Sequence, residues 1–421
     1  MELTEMIAKN IQKLLAENKV TISELSQELG ISRVTMGNYL RAHTAIDSVR
    51  LIQIANYFGV PLERLLTDRP DGRPAILFRS ALHYQEAVDG VEERISEYLD
   101  RYTDLEKSVG RSIGFLPEQY NLFAQYKGKV VDINFSGSDI FDAVQRIEPS
   151  LKQEIWQIAD HHRNILGLGD KGAIDLIPAL TARGVNVVFL DLYSSEISGL
   201  SICDEGYGSF IFVNSNSSIT YERQLFTVAH EYGHILLHRP IFRQKVSQGN
   251  FEKKHDFLDK MADCFAGRLL CPPQLLQPYA NQFAVDSGNL NYVISVAMPI
   301  KQKLQISLQS LMMGLSNCQL IQKEVVREFF DMLRRSGAKR IEPLSFAENK
   351  ALREHFLSER EAPVLGMLRV KAVHNQLKRE DIQYFVGCTW DRANEIYHRF
   401  EEEKNTVRRI FDIIPNENVD F

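Results

Sequence analysis

Residues 225–238 read LFTVAHEYGHILLH, and no other run constrains the fold of this chain as tightly. Residues four apart share one face of a helix, so His230 and His234 can bring both imidazoles to a single point. Most other positions are apolar, among them Phe226, Val228, Ala229, Ile235 and Leu236. A helix that is apolar around most of its girth has to be buried. The surrounding fold must therefore wrap this helix with other elements while leaving two histidines convergent in its interior.

Two imidazoles at this spacing suit one metal ion. Glu231, directly after the first histidine, is placed to take a proton from a water that the ion acidifies, which is the logic of the HExxH zinc peptidases. A catalytic zinc takes three protein ligands and keeps one position open, so a third donor is required. The longer pattern HExxHxxGxxH would need histidine at 240, where Pro240 stands, and that subclass is excluded. His238 lies a turn beyond His234, about 6 Å along the axis, and reads as a buried hydrogen-bonding histidine. The following segment, FEKKHDFLDKMADCFAGRLLCPP, carries a core stripe of Phe257, Leu258, Met261, Ala262, Phe265 and Leu269. Glu252, Asp256, Asp259 and Asp263 fall on another stripe, where like charges repel unless a cation compensates them. That stripe is either a solvated face or a source of ligands.

The stretch Ile174–Arg183 reads as helix, VNVVFLDL (185–192) as a buried strand and SFIFVN (209–214) as another, with helices from Tyr221 to about Leu315. Residues from about Phe78 to Leu166 read as mainly helical, interrupted near Gly110 and Ser136–Ser138, and the chain beyond Asn317 is again helical and charge-rich. The fold class expected is mainly α with a small α+β domain. Ser209–Asn214 is the candidate sheet edge for a peptide added as a strand. Cys203 is read in the loop before it, as an inert loop cysteine rather than a thiolate latch on zinc. DHHR (160–163) is read as a polar helix face, since adjacent histidines lack metal spacing.

The block ERQLFTVAHEYGHILLH, followed by DKMADCFAGRLLCP and preceded by GLSICDEGYGSFIFVN, resembles the ImmA/IrrE family of zinc metallopeptidases over about residues 172–316. The resemblance implies a zincin-like domain with zinc held by His230, His234 and Asp259, and with Glu231 as the catalytic base. In that family the third ligand is typically glutamate; aspartate at 259 shortens the arm by one methylene, and Asp256 or Glu252 are the substitutes if it falls short. Asp263 then matches the position that holds a histidine imidazole. The family further implies a bacterial regulator of a stress or mobile-element response, cutting a repressor or itself.

A second pattern lies at the other end. TISELSQELGISRVTMGNYLRAHTAIDSVRLIQIANYFGVPLERLL (21–66) combines stripes at Ile22, Leu25 and Leu29, and at Leu51, Ile54, Ala55 and Phe58, with a further stripe upstream at Ile7, Ile11, Leu14 and Leu15. Thr21 with Glu24 is a capping box, Gly30 ends the helix, and Ser32 can cap the next one. This span resembles the XRE-type helix-turn-helix. The resemblance implies that Ser32, Arg33, Thr35, Met36 and Asn38 face double-stranded operator DNA, Arg33 suiting guanine and Asn38 adenine. Residues 1–68 hold seven Lys/Arg against eight Asp/Glu. Counterion release from one copy is therefore modest, and a homodimer on two half-sites is expected.

The whole chain carries 49 Lys+Arg and 55 Asp+Glu, a formal net charge of −6, so nucleic-acid binding has to be local. Five scattered cysteines without a CxxC suit a reducing cytoplasm, and no run of 18 apolar residues suggests a membrane span. The DRPDGRP run (68–74) is a linker signal. The organisation expected is a helix-turn-helix domain at 1–68, a helical linker region at 69–171, the metallopeptidase-like domain at 172–316 and a helical module at 317–421. In that module LKREDIQYFVGCTWDRANEIYHRF (377–400) reads helix–turn–helix and serves dimerisation, sensing or a second DNA contact through Arg392 and Asn394. Two other functions stay open: a non-proteolytic transcription factor using the zincin fold as a ligand or partner sensor, and an antitoxin-like DNA-binding protein.

Overall fold

The computed structural model describes residues 3–18, 20–58, 63–66, 77–78, 85–110, 117, 118, 120, 122, 147–192, 197–204, 207–238, 251–336 and 342–413. The DRPDGRP run, Ser136–Ser138 and Pro240 lie outside them, as do the side chains of Glu252 and Asp256. The chain divides into two compact units, Met1–Ala75 and Ile76–Phe421.

In the first unit, helices α1 (Leu3–Glu17), α2 (Ile22–Glu28), α3 (Arg33–Leu40), α4 (Ser48–Phe58) and α5 (Glu63–Leu66) enclose a core of Ile11, Leu14, Leu25, Met36, Leu40, Ile54 and Leu65. The local signals act as expected. Thr21 Oγ1 accepts from the Glu24 amide at 3.2 Å, and a Glu24 carboxylate oxygen accepts from the Thr21 amide at 2.6 Å. Gly30 takes φ +62°, open to glycine and strained for other residues, which turns the chain into α3. Ser32 Oγ then caps α3 by accepting from the Thr35 amide at 3.0 Å.

The second unit is built on a four-stranded sheet of order β1-β3-β4-β2, with β1 (Leu77–Phe78), β2 (Val185–Leu190), β3 (Gly199–Asp204) and β4 (Gly208–Asn214). β3 and β4 pair antiparallel, and β2 and β4 parallel. This corrects the sheet-edge expectation: Ser209–Asn214 is an interior strand between β3 and β2. Its apolar run is long because every residue of β4 is buried, a strand covered on both faces. Cys203 likewise belongs to strand β3, buried with its Sγ 3.4 Å from Ser209 Oγ, not to a loop.

One sheet face, including Val185, Val187, Ile211 and Val213, shares a core with helices α7 (Pro149–Ile165), α8 (Leu176–Ala182), α9 (Tyr221–Leu237) and α10 (Phe251–Leu270), and with the following helices α11 (Leu290–Leu304), α12 (Leu308–Asn317) and α13 (Lys323–Ser336). The other face presents Val188, Leu200, Ile202, Phe210 and Phe212. It is covered by α6 (Gln85–Ser108) and by the tail helices α14 (Lys350–Val373), α15 (Arg379–Val386) and α16 (Trp390–Ile413). Tyr98 of α6 meets Phe212 edge-on with centroids 5.7 Å apart and stacks on Tyr384 of α15 at 5.9 Å. The tail thus packs on the sheet itself, and Arg392 is engaged with Glu361 at 2.9 Å.

The DHHR segment is not a polar face. His162 is 3% exposed, with Nδ1 2.8 Å from the Tyr232 hydroxyl, and Arg163 donates to the carbonyls of Gly169, Lys171 and Leu269. Asp160 binds Arg268 through two hydrogen bonds of 2.8 and 2.6 Å. These contacts fix α7 to α10, and α10 in turn packs along α9.

Candidate metal centre and DNA-reading helix

Helix α9 starts where Thr220 Oγ1 caps the Arg223 amide, and Glu222 then anchors its first turn. The Glu222 carboxylate accepts from the Phe346 amide at 2.8 Å and from Ser345 Oγ at 2.9 Å. Buried Lys301 sits 3.7 Å from Glu222 and 2.9 Å from Glu342, so no charge is stranded there. Every residue from Thr227 to Leu237 is buried. Gly233 explains how α10 comes so near: a Cβ there would lie 3.0 Å from Phe265 Cδ1 and 3.4 Å from the Cα of Ala262. Any larger residue would push away the helix that carries Asp259 and Asp263.

That approach brings His230, His234 and Asp259 together, each offering a ligand atom within 4.8 Å of the others. His230 Nε2 and His234 Nε2 are 3.0 Å apart, and Asp259 Oδ1 is 3.3 Å from the second and 3.9 Å from the first. Donors on a tetrahedral zinc, at about 2.0–2.1 Å from the ion, stand roughly 3.4 Å from one another, a value these separations bracket. The far ring nitrogens are engaged: His230 Nδ1 lies 2.7 Å from Asp263 Oδ1, and His234 Nδ1 lies 2.8 Å from His238 Nδ1. A carboxylate only accepts, so His230 carries its proton on Nδ1 and turns a lone pair on Nε2 toward the cluster. His234 Nδ1 is likewise held, by His238, which is buried and hydrogen-bonded as its spacing suggested.

Burial opposes a proton on His234, yet Asp259, Glu231 and Asp263 outweigh it and raise its pKa. Negative charge concentrated in this way is what a cation neutralises. Glu231 is 1% exposed. One carboxylate oxygen, Oε2, accepts from Ser201 Oγ at 2.8 Å, while the other, Oε1, is buried without a hydrogen-bond partner. A buried, unsatisfied carboxylate oxygen beside two imidazole lone pairs costs free energy unless something binds there. The donor set and this oxygen fit a metal ion held at this point.

Sequence reasoning missed Ser201 and Gly199. A Cβ on Gly199 would fall 2.3 Å from Thr227 Cγ2 and 2.8 Å from the Phe212 carbonyl, so only glycine lets β3 lie against α9 at this level. The signal was GLSIC itself, a glycine opening an alternating segment just upstream of the histidines.

In the first unit, α3 exposes Ser32 and Arg33 and half-buries Thr35 and Asn38. Met36 is different. At 0% exposure it belongs to the core with Tyr39 and Leu40, so it is withdrawn from the DNA-facing set: it shares the inward stripe at spacings of three and four. Val34, which the sequence reading passed over, is 74% exposed on the outward face beside Arg33. An apolar side chain there suits the methyl group of thymine.

The folds and their sites define a helix-turn-helix protein with a metallopeptidase-like second domain. Residues 11–65 match a helix-turn-helix family, and residues 180–316 match the family of the IrrE N-terminal-like domain, so the chain is a fusion of these two domains. No curated protein and no solved structure matches it. The two domains support a DNA-binding regulator with an IrrE-like domain. Among the described residues no helix is long and apolar enough to cross a membrane.

Proposed function

We propose that this protein is a transcriptional regulator whose second unit is a zinc-dependent endopeptidase, acting on a repressor or on itself in a stress or mobile-element response. The observation that carries this reading is the orphaned Oε1 of Glu231 beside the convergent His230, His234 and Asp259. His230, His234 and Asp259 would hold zinc, with Asp263 and His238 fixing the two imidazoles. Bound there, zinc supplies an acidified water and polarises the scissile carbonyl. Glu231 takes the water proton at Oε1 and later delivers it to the departing amine nitrogen. Ser201 keeps the carboxylate turned by donating to Oε2.

The first unit addresses the enzyme to an operator. Ser32, Arg33, Thr35 and Asn38, joined by Val34, face the major groove, and two copies of the chain read two half-sites. A sensor without proteolysis is the second reading, favoured by one distance: Asp259 Oδ1 stands 3.9 Å from His230 Nε2, the longest in the triad.

The test measures zinc in the purified protein and in Glu231→Gln, and scores each for cleavage of casein, of itself and of a co-expressed repressor. One zinc in both, with cleavage by the unaltered protein alone, is the expected result. One zinc without cleavage in either favours the sensor. Absence of zinc from both removes the metal centre.

A further inference from the structure

The edge of β3 opposite β4 carries a feature that the peptidase reading leaves unexplained. Leu77–Phe78 pairs there antiparallel, with Leu77 opposite Ser201 and Phe78 opposite Leu200. Ser201 is the residue whose hydroxyl holds Glu231, so backbone laid along this edge runs beside the base. β3 is also the strand antiparallel to the β2–β4 pair and the one that Gly199 lets settle onto α9. An extended peptide adds to such an edge through main-chain hydrogen bonds that are indifferent to its sequence. The resident of this edge is therefore a stretch of the chain itself. It begins two residues after Ala75, the last residue of the first compact unit. Among the described residues the pairing spans Leu77 and Phe78.

We propose that the peptide this edge serves is the chain's own segment around Leu77–Phe78, and that hydrolysis within two residues of Leu77 releases the helix-turn-helix unit from the rest. In the reaction the water oxygen bonds to the carbonyl carbon, the carbon–nitrogen bond breaks, and the proton held at Glu231 passes to the new amine. No oxidant or further reactant is consumed. This inference rests on the peptidase reading and deepens it by naming the substrate. The consequence is a regulator that loses its DNA-reading unit in one cut, in proportion to its own copies.

The experiment incubates the full-length zinc-loaded protein beside Glu231→Gln and a Leu77→Pro/Phe78→Pro double variant. New N-termini are mapped by mass spectrometry, and casein serves as an unrelated substrate. The expected result is a C-terminal fragment beginning within two residues of Phe78, at a rate per molecule unchanged by dilution and absent in Glu231→Gln. Proline at both positions removes the amide donors, and self-cleavage should fall by at least about tenfold while zinc content holds. A synthetic peptide copying residues 72–83 should be cut as well and should slow self-cleavage, a readout that needs no altered chain. Glu231-dependent cleavage of casein with the chain left intact, or cut elsewhere, overturns the inference and spares the peptidase reading. If zinc binds and neither casein nor the chain is cut, both fall together.

Discussion

Helices α3 and α9 both carry the residues on which the proposed function turns, and they are built in opposite ways. α3 puts Arg33 and Val34 into solvent and caps itself with Ser32, holding the unit together with only Met36, Tyr39 and Leu40. α9 buries everything from Thr227 to Leu237, polar groups included. A duplex is a large partner that must be met by exposed side chains, whereas a metal centre gains from a low-dielectric interior where two imidazoles and a carboxylate feel each other strongly. Burying a motif also makes it depend on distant residues. The imidazoles of α9 are set by Asp263 on α10 and His238 at the helix end, while the outward face of α3 needs little beyond its own helix.

Replacing single residues sharpens the contrast. The largest effect belongs to Glu231→Gln, which should lower hydrolysis by about 10²–10⁴-fold, the usual worth of a general base, with zinc content unchanged by elemental analysis. Met36→Ala should cost the first unit about 2–5 kcal/mol in urea unfolding, as expected for a large side chain deleted from a core. Arg33→Ala should leave that stability alone and weaken operator binding by about 1–3 kcal/mol in titrations. If Met36→Ala spared stability and abolished DNA binding instead, the division of α3 into two faces would be wrong.

A further prediction concerns pH. Burial pushes His162 down to about 4, helped by neighbouring His161 and opposed by Glu118; the Tyr120 and Tyr232 hydroxyls and the Phe265 ring also face it. An unfolded histidine titrates near 6.5, so between roughly pH 6.5 and 4 the unfolded chain takes up a proton that the folded chain refuses. Stability present above that window is lost as pH falls through it, by up to about 3 kcal/mol. Denaturation midpoints across this range should show the loss, and His162→Gln should flatten it. Next in size is Asp263→Asn, which should weaken zinc about 10–100-fold by competition with a chelator while Glu231 stays in place. Smallest is Val34→Ala, within about 0.5 kcal/mol of unaltered stability because the side chain is solvated. A larger loss would mean that this face is covered.

Patterns carried by neighbouring residues were open to reading, and those made by distant ones were not. The capping box at Thr21, the turn at Gly30, the buried run of β4 and the histidine spacing on α9 are each written within a few residues of one another. The edge assignment of Ser209–Asn214 failed because a continuous apolar run reports burial on both faces and says nothing of which strand lies beside it. Met36 was misplaced because methionine can face either side of a short helix, and only its spacing to Tyr39 and Leu40 shows which. Ser201 escaped because its role comes from alternation along β3, which does not name the helix that lies across the strand. His162 and Arg163 looked like a solvated face since their partners, Tyr232 and the Leu269 carbonyl, lie far along the chain.

Strand β3 is also a two-sided lever. Ser201 turns toward α9, while Leu200 and Ile202 sink into the core shared with α6, α14, α15 and α16. Close-packed interiors transmit displacement with little slack. Leu200 and Ile202 thus tie the strand that holds Glu231 in place to the packing of the tail helices, so the two cores on either side of the sheet share one element.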